Sequence, residues 1–203
     1  MDAAFGCSHH TQCVAGRAHF PGRGVTNTNM LTTDDISDRL DGLTFTEAVK
    51  ELGLFNSYER TTAMVLVMAR SPTAADRLRV FLEWGNVCDA PWWNRSSIAD
   101  MLRQACAEVS MPDLLNPADR CFYDALPRVV QVWRGCEQGR ERGLSWTTDR
   151  AIAAEFAQGK RCRNKTPTLV HAEIPKQHIL AVFTERQESE IVLDPRRLRR
   201  LGA

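Results

Sequence analysis

Apolar residues recur at helical spacing through the first half of the chain, and the pattern shortens toward alternation after Leu126. Residues 31–115 therefore read as a run of helices. Thr33, followed by Asp34 and Asp35, caps a short first helix. Thr44 and Glu47 have capping-box spacing, and Gly53 closes the helix they open. The next helix covers 57–70. Met64, Val65, Leu66, Val67 and Met68 make its second half apolar nearly all round, which predicts a central position. Ser71-Pro72 opens a helix to Trp84 with Leu78, Phe81 and Leu82 as its buried stripe. A loop over 85–94 carries Trp92 and Trp93. Ser97 with Asp100 starts another helix, on which Ile98, Met101, Leu102, Ala105 and Val109 follow at helical spacing. Asn116-Pro117 opens a last short helix ending near Tyr123.

The second half reads differently. Val129, Val130 and Val132 mark a strand over 128–133, and a shorter strand follows at 144–147. Thr148 caps a helix from Asp149 to Gln158 whose alanines suit close packing. Strands then fall at 168–174, 179–183 and 190–193, the last closed by Asp194-Pro195. Residues 1–30 are rich in Gly, Thr, Asn and His and show little periodicity, so they read as a loosely attached tail. The expected organisation is a tail over 1–30, a helical region over 31–125 and a strand-rich core over 126–203, with an α+β fold class.

Composition narrows the picture. The 203 residues are 43% hydrophobic and 25% charged, enough for a core. With 26 basic and 25 acidic residues the net charge is +1, so broad nucleic-acid binding is not expected. No run of about 18 apolar residues and no continuous apolar leader occurs, so neither a membrane span nor secretion by that route is expected. The 7 cysteines are odd in number and form no Cys-x-x-Cys pair. They read as reduced thiols of an intracellular, cytoplasmic protein. Cys7, His9, His10 and Cys13 follow no established zinc spacing, and no metal is expected.

Candidate chemistry lies in three separated stretches. Arg134 follows Val132-Trp133 and precedes Gly135. Ser145 stands in Gly143-Leu144-Ser145-Trp146-Thr147-Thr148. Glu188 and Glu190 lead into the last strand, and strand alternation would point both to one side. Paired carboxylates there are costly unless solvated, matched by cations or used. This Arg, Ser, Glu-x-Glu order resembles the mono-ADP-ribosyltransferases of the arginine-serine-glutamate class, among them bacterial toxins and compact phage and prophage members. The run from Ser145 to Ala157 is similar to that family's serine motif and following helix. Val170-His171-Ala172-Glu173-Ile174-Pro175-Lys176 and Ile179-Leu180-Ala181 look like its middle strands. The resemblance spans about 126–195 and leaves the helical half unexplained.

The resemblance implies a split core of two small sheets with NAD held between them as co-substrate. It implies a transferase that moves ADP-ribose to an arginine of a target protein and releases nicotinamide, as a phage or bacterial effector in the cytoplasm would. Glu190 would hold the ribose and support its cationic transition state, as carboxylates do in glycoside cleavage. Glu188 would orient or deprotonate the acceptor guanidinium. Arg134 would bind NAD through a planar charged fork, and Ser145 would brace the site. NAD contacts would come from Arg134, Gly135, Ser145, Trp146, Thr147 and Glu190, with a core position for Trp146 an equal alternative.

The chain departs from the family in one respect: only a short polar connection, 136–142, lies between the Arg and Ser strands, where toxins commonly carry a longer segment. Either the helical half supplies the missing wall, or Arg128, Arg140 or Arg142 replaces Arg134. Two other functions keep the same residues in view. One is an NAD glycohydrolase with water as acceptor. The other is a non-catalytic module whose basic stretches, 159–165 and 196–200, grip nucleic acid or an acidic partner.

Overall fold

The computed structural model of the chain describes residues 30–88, 94–159, 164–198 and 201–202. Leu31–Ala203 form one compact unit. The tail over 1–29 and the Cys7–Cys13 cluster lie outside the described residues.

Among the described residues six α-helices come first, and short polar side chains cap the starts of five of them, all but α5. Helix α1 (Thr33–Leu40) is capped one residue earlier than expected. Thr32 accepts from the Asp35 amide, and the Asp35 carboxylate accepts from the Thr32 amide. Helix α2 (Phe45–Glu51) has the expected reciprocal box between Thr44 and Glu47. Asn56 caps α3 (Ser57–Ala69), which buries Ala63, Met64, Val67 and Met68 among its neighbours. Thr73, not Ser71, caps α4 (Ala74–Trp84). The Ser71 hydroxyl instead donates back to the Val67 carbonyl at the end of α3, which leaves the capping role to Thr73. A 3-10 turn over Gly85–Val87 follows α4. Helix α5 spans Arg95–Glu108, so Ser97 sits inside its first turn, not before it. Asn116 caps α6 (Pro117–Ala125) as the sequence indicates.

The strands are β1 (Val129–Glu137), β2 (Ser145–Thr147), β3 (Pro167–Pro175), β4 (Ile179–Phe183) and β5 (Glu190–Leu193). Helix α7 (Arg150–Ala157) lies between β2 and β3 and is capped by Asp149, not Thr148. The fold is α+β. Among the described residues the strands form a single antiparallel sheet in the order β3-β1-β2-β5-β4, not the two small sheets expected. The sheet nevertheless has a seam. β1 pairs with β3 along its whole length, but it meets β2 at one register pair, Trp133 with Thr147.

One hydrophobic cluster runs through both halves of this unit, from Ile36, Leu78 and Leu102 to Val130, Leu180 and Ile191. Each such side chain contributes roughly 1.5–3 kcal/mol on burial. β4 ends the sheet order, yet all its residues are buried, because α4, α5 and α6 pack over it. Phe81 of α4 meets Phe183 of β4 with ring centroids 6.0 Å apart. On the other face, α7 lies directly on β1. A β-carbon at Gly135 would stand 1.8 Å from the Ala153 carbonyl oxygen, so only glycine permits that approach. No helix among the described residues is long and apolar enough to cross a membrane.

Charged side chains tie α5 to the segment after β5. Arg196 donates to both carboxylate oxygens of Asp194 and to Asp100 at 2.7 Å, and Arg103 also donates to Asp100. Hydrogen bonds from Arg196 and then Arg103 hold the Asp100 carboxyl down to about 2. Burial pushes Asp194 upward, but the Arg196 hydrogen bonds outweigh it and leave that carboxyl below its ordinary value. Both acids are more acidic folded than unfolded, so their stabilisation is complete above the ordinary value of 3.8 and fades as pH falls toward about 2. Melting temperature should therefore drop between about pH 4 and pH 2. Asp100→Asn should flatten that dependence in a melting series, and an unchanged slope would remove the network from acid stability.

Candidate functional site

The seam between β1 and β2 opens into a cavity of about 300 Å³, at the lower end of the size range for small-molecule sites. Arg134, Ser145, Glu188 and Glu190 all line it. The four side chains singled out from distant stretches thus share one hollow. Gly135, Trp146 and Thr147 also border it.

Arg134 is in the middle of β1, opposite Val170, not at a strand end. Its side chain spans the seam. Where the β1–β2 ladder stops, the Ser145 carbonyl accepts from Arg134 Nη1, and Nε donates to the Arg140 carbonyl at 3.2 Å. The guanidinium thus satisfies a main-chain group that the sheet no longer pairs. It lies against Gly143, where a β-carbon would come 2.4 Å from Arg134 Cζ. Arg140 also borders the cavity. Arg142 is turned elsewhere, donating to the carbonyls of Pro195 and Leu198. Arg128 is exposed and outside the cavity wall.

Trp146 is 2% exposed, and its indole N–H donates to the Gly143 carbonyl at 2.9 Å. Its bulk belongs to the core. Thr147 is buried and connects two segments: its hydroxyl donates to the Glu188 carbonyl at 2.6 Å and accepts from the Asp149 amide at 3.0 Å. Thr147 therefore ties the end of β2 to the glutamate segment and to the start of α7. Its polar atom has a structural assignment that strand spacing could not reveal.

The two glutamates reach the cavity by a different route from the one expected. Glu190 begins β5, but Glu188 precedes the strand. Gln187 and Ser189 flank it with φ of 55° and 45°, in the left-handed region that non-glycine residues enter at a cost. A turn, not strand alternation, aims Glu188 at the same hollow as Glu190. Glu188 is 8% exposed. Such backbone strain concentrates where a side chain must be held in place.

The helical half supplies the opposite wall through Gly85, Asn86, Cys88 and Arg95. Arg60 fixes part of it by donating to the carbonyls of Leu52, Phe55 and Val87. The loop with Trp92 and Trp93 continues from this wall and lies outside the described residues. Asn164 borders the cavity beside α7 and donates to the Phe156 and Ala157 carbonyls, closing that helix. Sequence patterning did not single out Asn86, Arg95 or Asn164. Nothing in their local context marks them, because their position depends on how the two halves pack.

Among the described residues no cluster of three or more His, Cys, Asp or Glu is arranged to hold a metal ion. Of the basic stretches, Arg196 is engaged with Asp194 and Asp100, while 160–163 and 199–200 lie outside the described residues. No protein-family model, curated protein or solved structure matches the chain.

The contact between Arg134 and Gly143 is open to test. Gly143→Ala should push the guanidinium away and leave the Ser145 carbonyl without its donor. The expected loss is about 1–3 kcal/mol in urea unfolding. Adding Gly143→Ala to Arg134→Ala should cost nothing further, since both act on one contact. Fully additive losses would separate the two residues.

Proposed function

We propose that the protein is an NAD-dependent mono-ADP-ribosyltransferase that modifies an arginine on a target protein. The observation that carries this reading is the convergence of Arg134, Ser145, Glu188 and Glu190 on a single cavity. A cation, a hydroxyl-bearing strand and two acids suit NAD cleavage in kind. The dinucleotide brings phosphates for the arginine, and its ribose becomes positively charged when the nicotinamide bond breaks.

In this mechanism the bond between nicotinamide nitrogen and ribose C1′ breaks, and its electron pair leaves with nicotinamide. Glu190 stabilises the cationic sugar left behind and accepts a hydrogen bond from its 2′-hydroxyl. Glu188, shielded by the strained turn, takes a proton from the acceptor guanidinium as that nitrogen bonds C1′. Arg134 and Ser145 keep the seam open at the width set by their mutual contact.

Radiolabelled NAD and a bacterial lysate provide the assay. Glu190→Gln should slow nicotinamide release roughly 10²–10³-fold, as loss of one key electrostatic group does. Unaltered release by that variant would remove Glu190 from the chemistry. Glu188→Gln should abolish labelled protein bands while NAD cleavage persists. If wild type itself cleaves NAD and labels nothing, water is the acceptor and the protein is a glycohydrolase. Absence of NAD turnover, with steeply salt-dependent binding to nucleic acid, would support the non-catalytic alternative.

A further inference from the structure

The segment from Thr184 to Ser189 links β4 to β5 and carries Glu188. Its far end is held by the sheet. Thr147 Oγ1 donates to the Glu188 carbonyl, and the Thr148 amide donates to the Ser189 carbonyl at 3.2 Å. Its near end is held by the helical half. Asp119 of α6 is 3% exposed, and its Oδ1 accepts from both the amide and the hydroxyl of Thr184, at 2.8 and 2.7 Å. Its Oδ2 accepts from Asn116 Nδ2 at 2.7 Å. One residue further along, Asn86 Nδ2 donates to Glu185 Oε2 at 2.8 Å. The Gln187 amide closes the turn on the Thr184 carbonyl at 2.9 Å.

A buried carboxylate is costly, and it persists where hydrogen bonds saturate it. Asp119 directs one of its oxygens wholly to the root of the glutamate loop. The loop also contains two non-glycine residues at positive φ, a conformation that holds only where the surroundings over-determine it. We infer that Asp119 and Asn86 are positioning residues: through Thr184 and Glu185, the helical half holds the Glu188 turn in its strained, cavity-facing conformation. This gives a function to the half of the chain that the family resemblance leaves unexplained. The inference rests on the ADP-ribosyltransferase reading, because it assigns the clamp a purpose in that chemistry.

The test compares wild type with Asn86→Ala, Thr184→Val and Asp119→Asn, measuring nicotinamide release from NAD, protein labelling and melting temperature. Arg120→Ala is the control. It removes ion pairs from α6 to Asp113 and Asp124 without touching Thr184. Asn86→Ala and Thr184→Val should lower kcat for protein labelling roughly 10–100-fold, as slight misplacement of a reacting group does, with KM for NAD within about twofold. Protein labelling should fall more than nicotinamide release, because Glu188 serves the acceptor. Asn86→Ala should melt with wild type, and Arg120→Ala should retain full kcat. Asp119→Asn should be the least stable of the set, so the two milder variants decide the matter. Full kcat for labelling in both, or an equal loss in Arg120→Ala, overturns the clamp, while protein labelling by wild type leaves the function standing. No NAD cleavage by wild type overturns both.

Discussion

Asp119 brings a polar side chain, 3% exposed, into the junction between a helix and the end of a buried strand. Hydrogen bonds must replace the solvation it gives up there. The donors it uses belong to the cap of α6 and to Thr184. One side chain therefore ties α6 to the point where the loop after β4 begins. The positions of Glu188 and Glu190 relative to Arg134 and Ser145 follow from that loop and from Thr147 at its other end.

Arg134 substitutes for main-chain pairing where β1 and β2 part, so the seam remains open without an unsatisfied Ser145 carbonyl. Gly135 lets α7 press on β1 from one face, and Gly143 leaves room for the guanidinium. Both glycines border the hollow, and each is required by close approach and not by a turn.

Much of this was legible in the residues. The helical and strand halves followed from a change in hydrophobic period. The bounds of β4 and β5, the Thr44–Glu47 box and the Asn116 cap were read where the structure has them. Cap positions slipped where two candidates lay side by side, as with Thr32 and Thr33, Ser71 and Thr73, and Asp149 and Thr148. Local preference does not separate such neighbours, and the winner depends on which hydroxyl or carboxylate finds the third amide along. The four side chains of the candidate site were visible as types in order. The means of bringing them together were not. The turn that aims Glu188 runs through φ values that Gln and Ser rarely adopt, so no residue preference announces it. The single sheet was missed because register is a long-range property. Asn86 and Asp119 carry no mark in the sequence, because the partners that give them their places lie 99 and 65 residues away.

The seam has a consequence for how such a chain can change over time. β1 and β2 share one register pair, so the stretch joining them, 138–144, has almost no ladder to lose. Lengthening a connection costs only about 0.6 kcal/mol per doubling in closure entropy. New residues inserted ahead of Arg140 would leave in place the Arg140 carbonyl and Gly143, against which Arg134 lies. This is the place where descendants of the chain could acquire new recognition surfaces most cheaply, one insertion at a time.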